Sequence, residues 1–291
     1  MIEIADPDAM RAWSRAERKS GRTIALVPTM GFLHEGHLGL IDRVRERADR
    51  VVVSIFVNPI QFGSTEDLGA YPRDLERDRA AALGRGADCL FVPTAAEMYP
   101  EPAVVRVVPG SLAGHLCGAS RPGHFEGVLT VVMKLFNIVE PDLASFGRKD
   151  VQQAVVIRRM VTDLNLAVGI DVAPTVREHD GLAMSSRNAY LNEAERGVAP
   201  ALVRGLDVAH EAFIGGERGV ERLVAAARAP IDSHQALDLE YVELVDPVSL
   251  APVETADPAS IMAVAARLGA ARLIDNIVLG EGTDGDPRVG L

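Results

Sequence analysis

Two histidines, His34 and His37, stand where an apolar run ends in Pro28-Thr-Met-Gly31 and a helical pattern begins. Three residues is close to one turn, so on a helix both imidazoles share a face, and Gly36 between them leaves the backbone open to a bulky ligand. The first amides of a helix lack intrahelical partners and carry the positive end of its dipole, so an anion docks there readily. A strand, a glycine turn and a helix start bearing two imidazoles read as a phosphate seat. The same residues also fit a plainer reading, a capped and solvated helix start in an ordinary α/β domain. A zincin site is excluded, because that motif needs histidines four apart and no third ligand stands out. No Gly-x-Gly-x-x-Gly or Gly-Lys-Ser/Thr pattern follows the strand, which excludes a dinucleotide fingerprint and a Walker loop.

Four further clusters carry chemistry. Asn58 and Gln61 follow a second apolar run, and ligands of open α/β sheets gather beyond the carboxyl ends of strands; a proline turn with Asn58 as a helix cap fits equally. Arg121 and His124 set a cation and an imidazole at a helix start, or simply line a polar surface loop. Gly147-Arg148-Lys149-Asp150 ends a further strand. Lys149 offers an ammonium for phosphate, Asp150 accepts from two ribose hydroxyls, and Gln153, on the same helical face as Asp150, reads a polar neutral group. A charged turn that only caps the next helix is the alternative. Met184-Ser185-Ser186-Arg187 combines forked guanidinium donors with two hydroxyls, a clamp suited to polyphosphate. It is also an ordinary cap and linker.

The elements that must position these residues follow from periodicity. Residues 1–20 form an amphipathic lead-in helix, and 51–57 is an apolar β-branched run of the kind buried on both faces of a parallel sheet. Residues 89–92, 143–146 and 168–172 read as further strands, 175–177 continues extended, and 104–108, flanked by prolines at 102 and 109, reads as an edge strand. Helices are expected from His34 to about Arg47, from Tyr71 to about Arg85, over 128–138, and, carrying Asp150 and Gln153 on one face, to Leu164. Beyond Leu191 come Ala- and Arg-rich helices over 193–213 and 219–229, then alternating runs at 239–245, 261–267 and 271–278. The expected fold is α/β, a Rossmann-like parallel sheet domain over 1–180 with a second, smaller α+β lid domain over 188–291. The Gly- and Asp-rich tail after Glu281 is expected to be mobile.

The chain has 291 residues, enough for one large or two modest domains, and a formal charge of −11. That balance argues against a nucleic-acid partner and requires any anion to be held locally. Cys89 and Cys117 have neither metal spacing nor a disulfide framework, so a reducing cytoplasm is the expected compartment. No signal peptide and no membrane-length apolar run are apparent, so a soluble protein is expected.

Taken together, Pro28–His37, Phe56–Phe62, Gly123–Thr130, Gly147–Gln153 and Pro174–Asn188 resemble the pantothenate synthetase (pantoate–β-alanine ligase) family, within the His-x-Gly-His nucleotidyl-transferring group. The final hundred residues match mainly in length and texture, with Asp275-Asn276 the best point of likeness. The resemblance implies a two-step reaction: pantoate attacks the α-phosphorus of ATP, releasing pyrophosphate, and β-alanine then displaces AMP from the pantoyl adenylate. It implies Mg2+ with the ATP, and a homodimer. By position, Met30, Gly31, His34 and His37 border the nucleotide, with His37 the proton donor; Gln61 and Gln153 bind pantoate, Gln61 also lying near the β-alanine. Gly147, Arg148, Lys149 and Asp150 hold ATP, Val176 meets adenine through its backbone, and Met184, Ser185, Ser186 and Arg187 close over the phosphates. Asn58 and Arg121 belong to the same pocket. The family pattern Gly-Glu-Lys-Asp-Tyr-Gln-Gln is broken by Arg148 and Val151, which bear on affinity more than on the reaction. A nucleotidylyltransferase acting on a phosphorylated acceptor is the rival expectation, and a catalytically dead adenine-nucleotide sensor a second.

Overall fold

The computed structural model describes every residue except Thr65, Pro102, Ala103, Asp284, Gly290 and Leu291. It divides into two compact units. The first comprises residues 1–110, 121–148 and 156–173, and the second 111–120, 149–155 and 174–291.

The first unit is built on a parallel sheet. Its strands are β1 (Ile2–Ile4), β2 (Ile24–Thr29), β3 (Arg50–Ile55), β4 (Cys89–Phe91), β5 (Leu143–Gly147) and β6 (Gly169–Ala173), in the order β1-β4-β3-β2-β5-β6. In chain order the helices are α1 (Pro7–Lys19), α2 (Glu35–Arg45), α3 (Leu75–Gly84), α4 (Ala95–Met98), α5 (Leu116–Ser120), α6 (His124–Val139) and α7 (Val151–Asp163), of which α5 and residues 151–155 of α7 belong to the second unit. Successive side chains of a strand point to opposite faces. Ala25 and Val27 of β2 therefore join Val51 and Val53 of β3 in one apolar layer with Leu38, Ile41 and Val44 of α2 and Ala82 of α3. Alternate residues Ile24 and Leu26 are equally buried on the other face, where α1 and α6 pack against β2. Burial on both faces is why these strands read as continuous apolar runs.

Chain order reverses at β2, which pairs with β3 on one side and β5 on the other. All strands being parallel, the segments leaving β2, β3 and β5 emerge along one edge, the crevice where open α/β sheets take ligands. Pro28 does not end β2. The β5 pairing stops at Leu26 while the β3 pairing continues to Thr29, so Pro28 occupies an edge-like position where a missing N–H is tolerated.

The second unit contains the two-residue strand β7 (Arg177–Glu178), then α8 (Glu193–Val198), α9 (Ala201–Ile214) and α10 (Val220–Asp232), and an antiparallel sheet of β8 (Asp238–Val245), β9 (Ile261–Leu268) and β10 (Ala271–Val278). Alternating residues Met262, Val264 and Ala266 of β9 pack with Leu202, Leu206 and Phe213 of α9 and Leu223 and Ile231 of α10.

Four expectations are corrected. Residues 2–4 form an edge strand before the lead-in helix, a stretch whose Ile-Glu-Ile alternation is too short to stand out. The 193–213 helix is two helices, because Pro200 cannot continue the first. Residues 104–108 form no strand, and Val104 and Val105 are almost fully exposed; Pro102 lies outside the described residues. The described part of the tail is anchored: Asp286 is buried, and β11 (Arg288–Val289) pairs with β7.

Candidate active site

The loop after β2 is held open by a residue from elsewhere in the chain. Asp78 of α3, buried to 1% exposure, accepts from the amides of Phe32 at 2.8 Å and Leu33 at 2.6 Å. Burial pushes its carboxyl above the usual range, while the two amides and Arg77 pull the other way. Gly31 has φ +84°, and a Cβ there would lie 3.0 Å from Asp78 Oδ2 and from Ile55 Cγ2, so both conformation and space require glycine. Sequence reasoning missed Asp78; its one signal is a carboxylate on the apolar side of α3, four residues before buried Ala82.

This loop delivers the imidazole pair. His34 is the N-cap of α2, its Nδ1 accepting from the Gly36 amide at 3.2 Å, and His37 Nδ1 accepts from the His34 amide at 3.4 Å. An amide can only donate, so each Nδ1 is unprotonated and the ring proton sits on Nε2. The rings lie 4.0 Å apart between centroids, tilted by 34°. As the plainer reading has it, the histidines cap the helix, and the capping bonds engage Nδ1 of both rings. Met30, at the end of β2, takes a 3.2 Å contact at Sδ from Gln61 Nε2.

Asn58 and Gln61 follow β3, and both are buried. Asn58 occupies the cap position of the short turn 59–61 but makes no cap bond with its side chain. Its Nδ2 instead donates to Gln61 Oε1 at 3.0 Å and to the Gly127 carbonyl at 3.1 Å. Arg121 forms a two-pronged ion pair with Glu66, at 2.7 and 2.6 Å, and donates to His124 Nε2 at 2.9 Å. Burial opposes ionisation of Glu66, but Arg121 outweighs it and brings the pKa down to about 2. His124 Nδ1 in turn donates to the Gln61 carbonyl at 2.9 Å, so Arg121 and His124 brace the Gln61 backbone.

Gly147 ends β5, with open space where a Cβ would point, and Arg148 to Asp150 form one tight turn into α7. In the second unit the Lys149 carbonyl accepts from Asn276 Nδ2 at 2.9 Å. Lys149 and Ser185 line one small cavity together with Asn188 and Asp275. Asp150 is exposed and Gln153 half-buried at the start of α7, whereas Gln152 is buried and engaged internally with residues 112–118. Val176 and Met184 face each other across a hairpin, the Val176 carbonyl accepting from the Met184 amide at 2.9 Å. Ser185 caps the turn 186–190, its Oγ accepting from the Arg187 amide at 3.3 Å, and Ser186 is buried.

The pantoate-beta-alanine ligase family model matches residues 3–278. The chain belongs to that family. Its reaction joins pantoate to β-alanine to give pantothenate, and this member is 55% identical over 270 residues to the pantothenate synthetase of Heliobacterium modesticaldum, covering 93% of this chain and 96% of the relative. It is 51% identical to that of Geobacillus kaustophilus, with coverage of 96% and 93%. The crystal structure of the Thermus thermophilus enzyme superposes with a TM-score of 0.91 at 44% identity, covering 96% and 99% of the two chains. The Francisella tularensis pantoate-beta-alanine ligase, complexed with β-γ ATP and β-alanine, superposes at 0.79 with 32% identity and coverage of 97% and 99%. The expected family, the parallel-sheet fold and the enzyme class all stand.

Proposed function

We propose that this family member works through a pantoyl adenylate, with the helix-start imidazoles as its main charge-stabilising donors. A pantoate carboxylate oxygen attacks the α-phosphorus of ATP, the bond to the β-phosphate bridging oxygen breaks, and pyrophosphate departs. The β-alanine amine then attacks the acyl carbon, the C–O bond to phosphate breaks, and AMP leaves while the amine loses a proton. Attack of one anion on another is slow chiefly through charge repulsion, so donors preorganised at the phosphates lower the barrier. The observation that carries this reading is the pair of histidines bound through Nδ1 at the start of α2, in the segment that follows β2.

On this reading His34, His37, Lys149, Ser185 and Arg187 offset charge on the phosphates, with His37 the proton donor. Met30, Gly31, Gly147 and Arg148 border the nucleotide, Asp150 takes the ribose, Val176 the adenine, and Met184 and Ser186 complete the clamp. Gln61 and Gln153 bind pantoate, with Asn58 and Arg121 in support. Mg2+ supplies further neutralisation of the triphosphate. The smaller C-terminal domain acts as the lid.

The Francisella complex supports ATP and β-alanine as ligands. A homodimer is supported by the exposed Val104, Val105 and Val108, and sedimentation equilibrium measures it directly. A cytoplasmic location fits two buried, unbridged cysteines, and no helix among the described residues is long and apolar enough to cross a membrane. The decisive assay follows AMP release from pantoate and ATP. The adenylate route gives a single slow release of pyrophosphate and no AMP without β-alanine, and continuous AMP release with it; continuous AMP formation independent of β-alanine favours a nucleotidylyltransferase instead.

A further inference from the structure

Asn58 is 1% exposed and hydrogen-bonded on every side, and the direction of its bonds is fixed. The Gly127 carbonyl can only accept, so the Asn58 atom 3.1 Å from it is the amide nitrogen. That nitrogen gives its second hydrogen to Gln61 at 3.0 Å, so the Gln61 atom there is the amide oxygen. Asn58 Oδ1 must accept, and what meets it at 2.9 Å is the Tyr99 hydroxyl. With its oxygen spent on Asn58, Gln61 turns its nitrogen the other way, where one hydrogen meets Met30 Sδ at 3.2 Å.

Tyr99 is itself well placed. Helix α4 is closed at its start by a reciprocal pair, the Glu97 amide to Thr94 Oγ1 at 3.2 Å and the Thr94 amide to Glu97 Oε2 at 2.6 Å. Tyr99 caps its other end, donating its own amide to the Ala95 carbonyl at 2.8 Å. The Lys134 ammonium lies 5.2 Å from the centre of the Tyr99 ring, on a helix that also supplies the Gly127 carbonyl. Burial pushes the phenol up to about 12, so it keeps the proton it donates.

We propose that Tyr99 is a positioning residue: through Asn58 its hydroxyl locks the Gln61 amide with nitrogen toward the substrate, so that Gln61 selects a hydrogen-bond acceptor, a carboxylate or hydroxyl oxygen of the hydroxy acid. This rests on the reading of Gln61 as a pantoate-binding residue. Removing the hydroxyl leaves a buried amide oxygen without its donor, so Asn58, still tied to the Gly127 carbonyl, holds the Gln61 amide less firmly with its nitrogen toward the acceptor.

Tyr99→Phe keeps the ring and its Lys134 contact and removes only the donor. Steady-state kinetics are expected to show KM for pantoate raised about ten-fold, with KM for ATP changed less than about two-fold, the size expected when one buried partner is lost. Gln61→Ala raises KM for pantoate on its own, and in that background Tyr99→Phe adds nothing. An unchanged pantoate KM in Tyr99→Phe beside a raised one in Gln61→Ala overturns the relay while leaving Gln61 its role; no effect of Gln61→Ala removes the reading beneath it. A purely packing role for Tyr99 lowers the melting temperature and adds to Gln61→Ala, which also overturns the proposal. Should Tyr99→Phe fail to fold, Asn58→Asp, which has no amide hydrogen to give, must raise the pantoate KM selectively.

Discussion

An imidazole can donate from one ring nitrogen only if something settles which one carries the proton, and here backbone amides settle it for both histidines. Replacing His37 by Ala removes one donor while leaving the His34 cap in place. The adenylation rate, followed as pyrophosphate release in a single turnover, is expected to fall about 100-fold or more if His37 offsets transition-state charge. An unchanged rate removes it from the mechanism. The types and spacing of His34, His37, Lys149 and Ser185 were legible in the sequence because each is a polar residue at the end of an apolar run. Asp78, Tyr99 and Glu66 were not, since each acts on a residue 20 or more positions away and nothing local marks it. Asn58 could be placed after a strand from sequence, but not the bonds of its amide, whose two hydrogens go to Gln61 and to the distant Gly127 carbonyl.

At the scale of elements, the hairpin carrying Val176 and Met184 is pinned by a guanidinium with no access to water. Arg177 is 0% exposed, donates from Nη1 to Asp275 at 2.6 Å and from Nε to Asp286 at 2.7 Å, and gives a further bond to the Gly181 carbonyl at 3.1 Å. Burial disfavours the charged form of Arg177, and the two carboxylates more than compensate, so its pKa is raised. Asp286 comes from the tail, which continues as β11 beside β7. The tail is therefore part of what holds the proposed phosphate clamp. Removing one partner of a buried pair strands the other charge, so Asp286→Ala is expected to cost about 3–5 kcal/mol in urea unfolding, and Asp286→Asn less. A loss below about 0.5 kcal/mol, the scatter of ordinary surface substitutions, contradicts this. Strands and helices with strong periodicity were legible almost to the residue, including β10, found at 271–278 as expected. The tail was misread because Gly- and Asp-rich composition signals disorder unless a distant cation, here Arg177, accounts for the acid.

Across the whole molecule, a net charge of −11 must accommodate a polyanionic nucleotide. Bulk electrostatics oppose that encounter, so on the proposed reading local donors must do the work. Reversal of chain order at β2 brings the segments after β2, β3 and β5 to one edge of the sheet, although β2 and β5 lie more than a hundred residues apart in sequence. Strand order was not legible from periodicity, which reports burial and says nothing of neighbours. The central claim is that the pantoate carboxylate attacks the α-phosphorus, and isotope transfer tests it most directly. With pantoate labelled by 18O in its carboxylate, complete turnover with ATP and β-alanine is predicted to leave one labelled oxygen in AMP and none in pyrophosphate. Unlabelled AMP, or label in pyrophosphate, would contradict it.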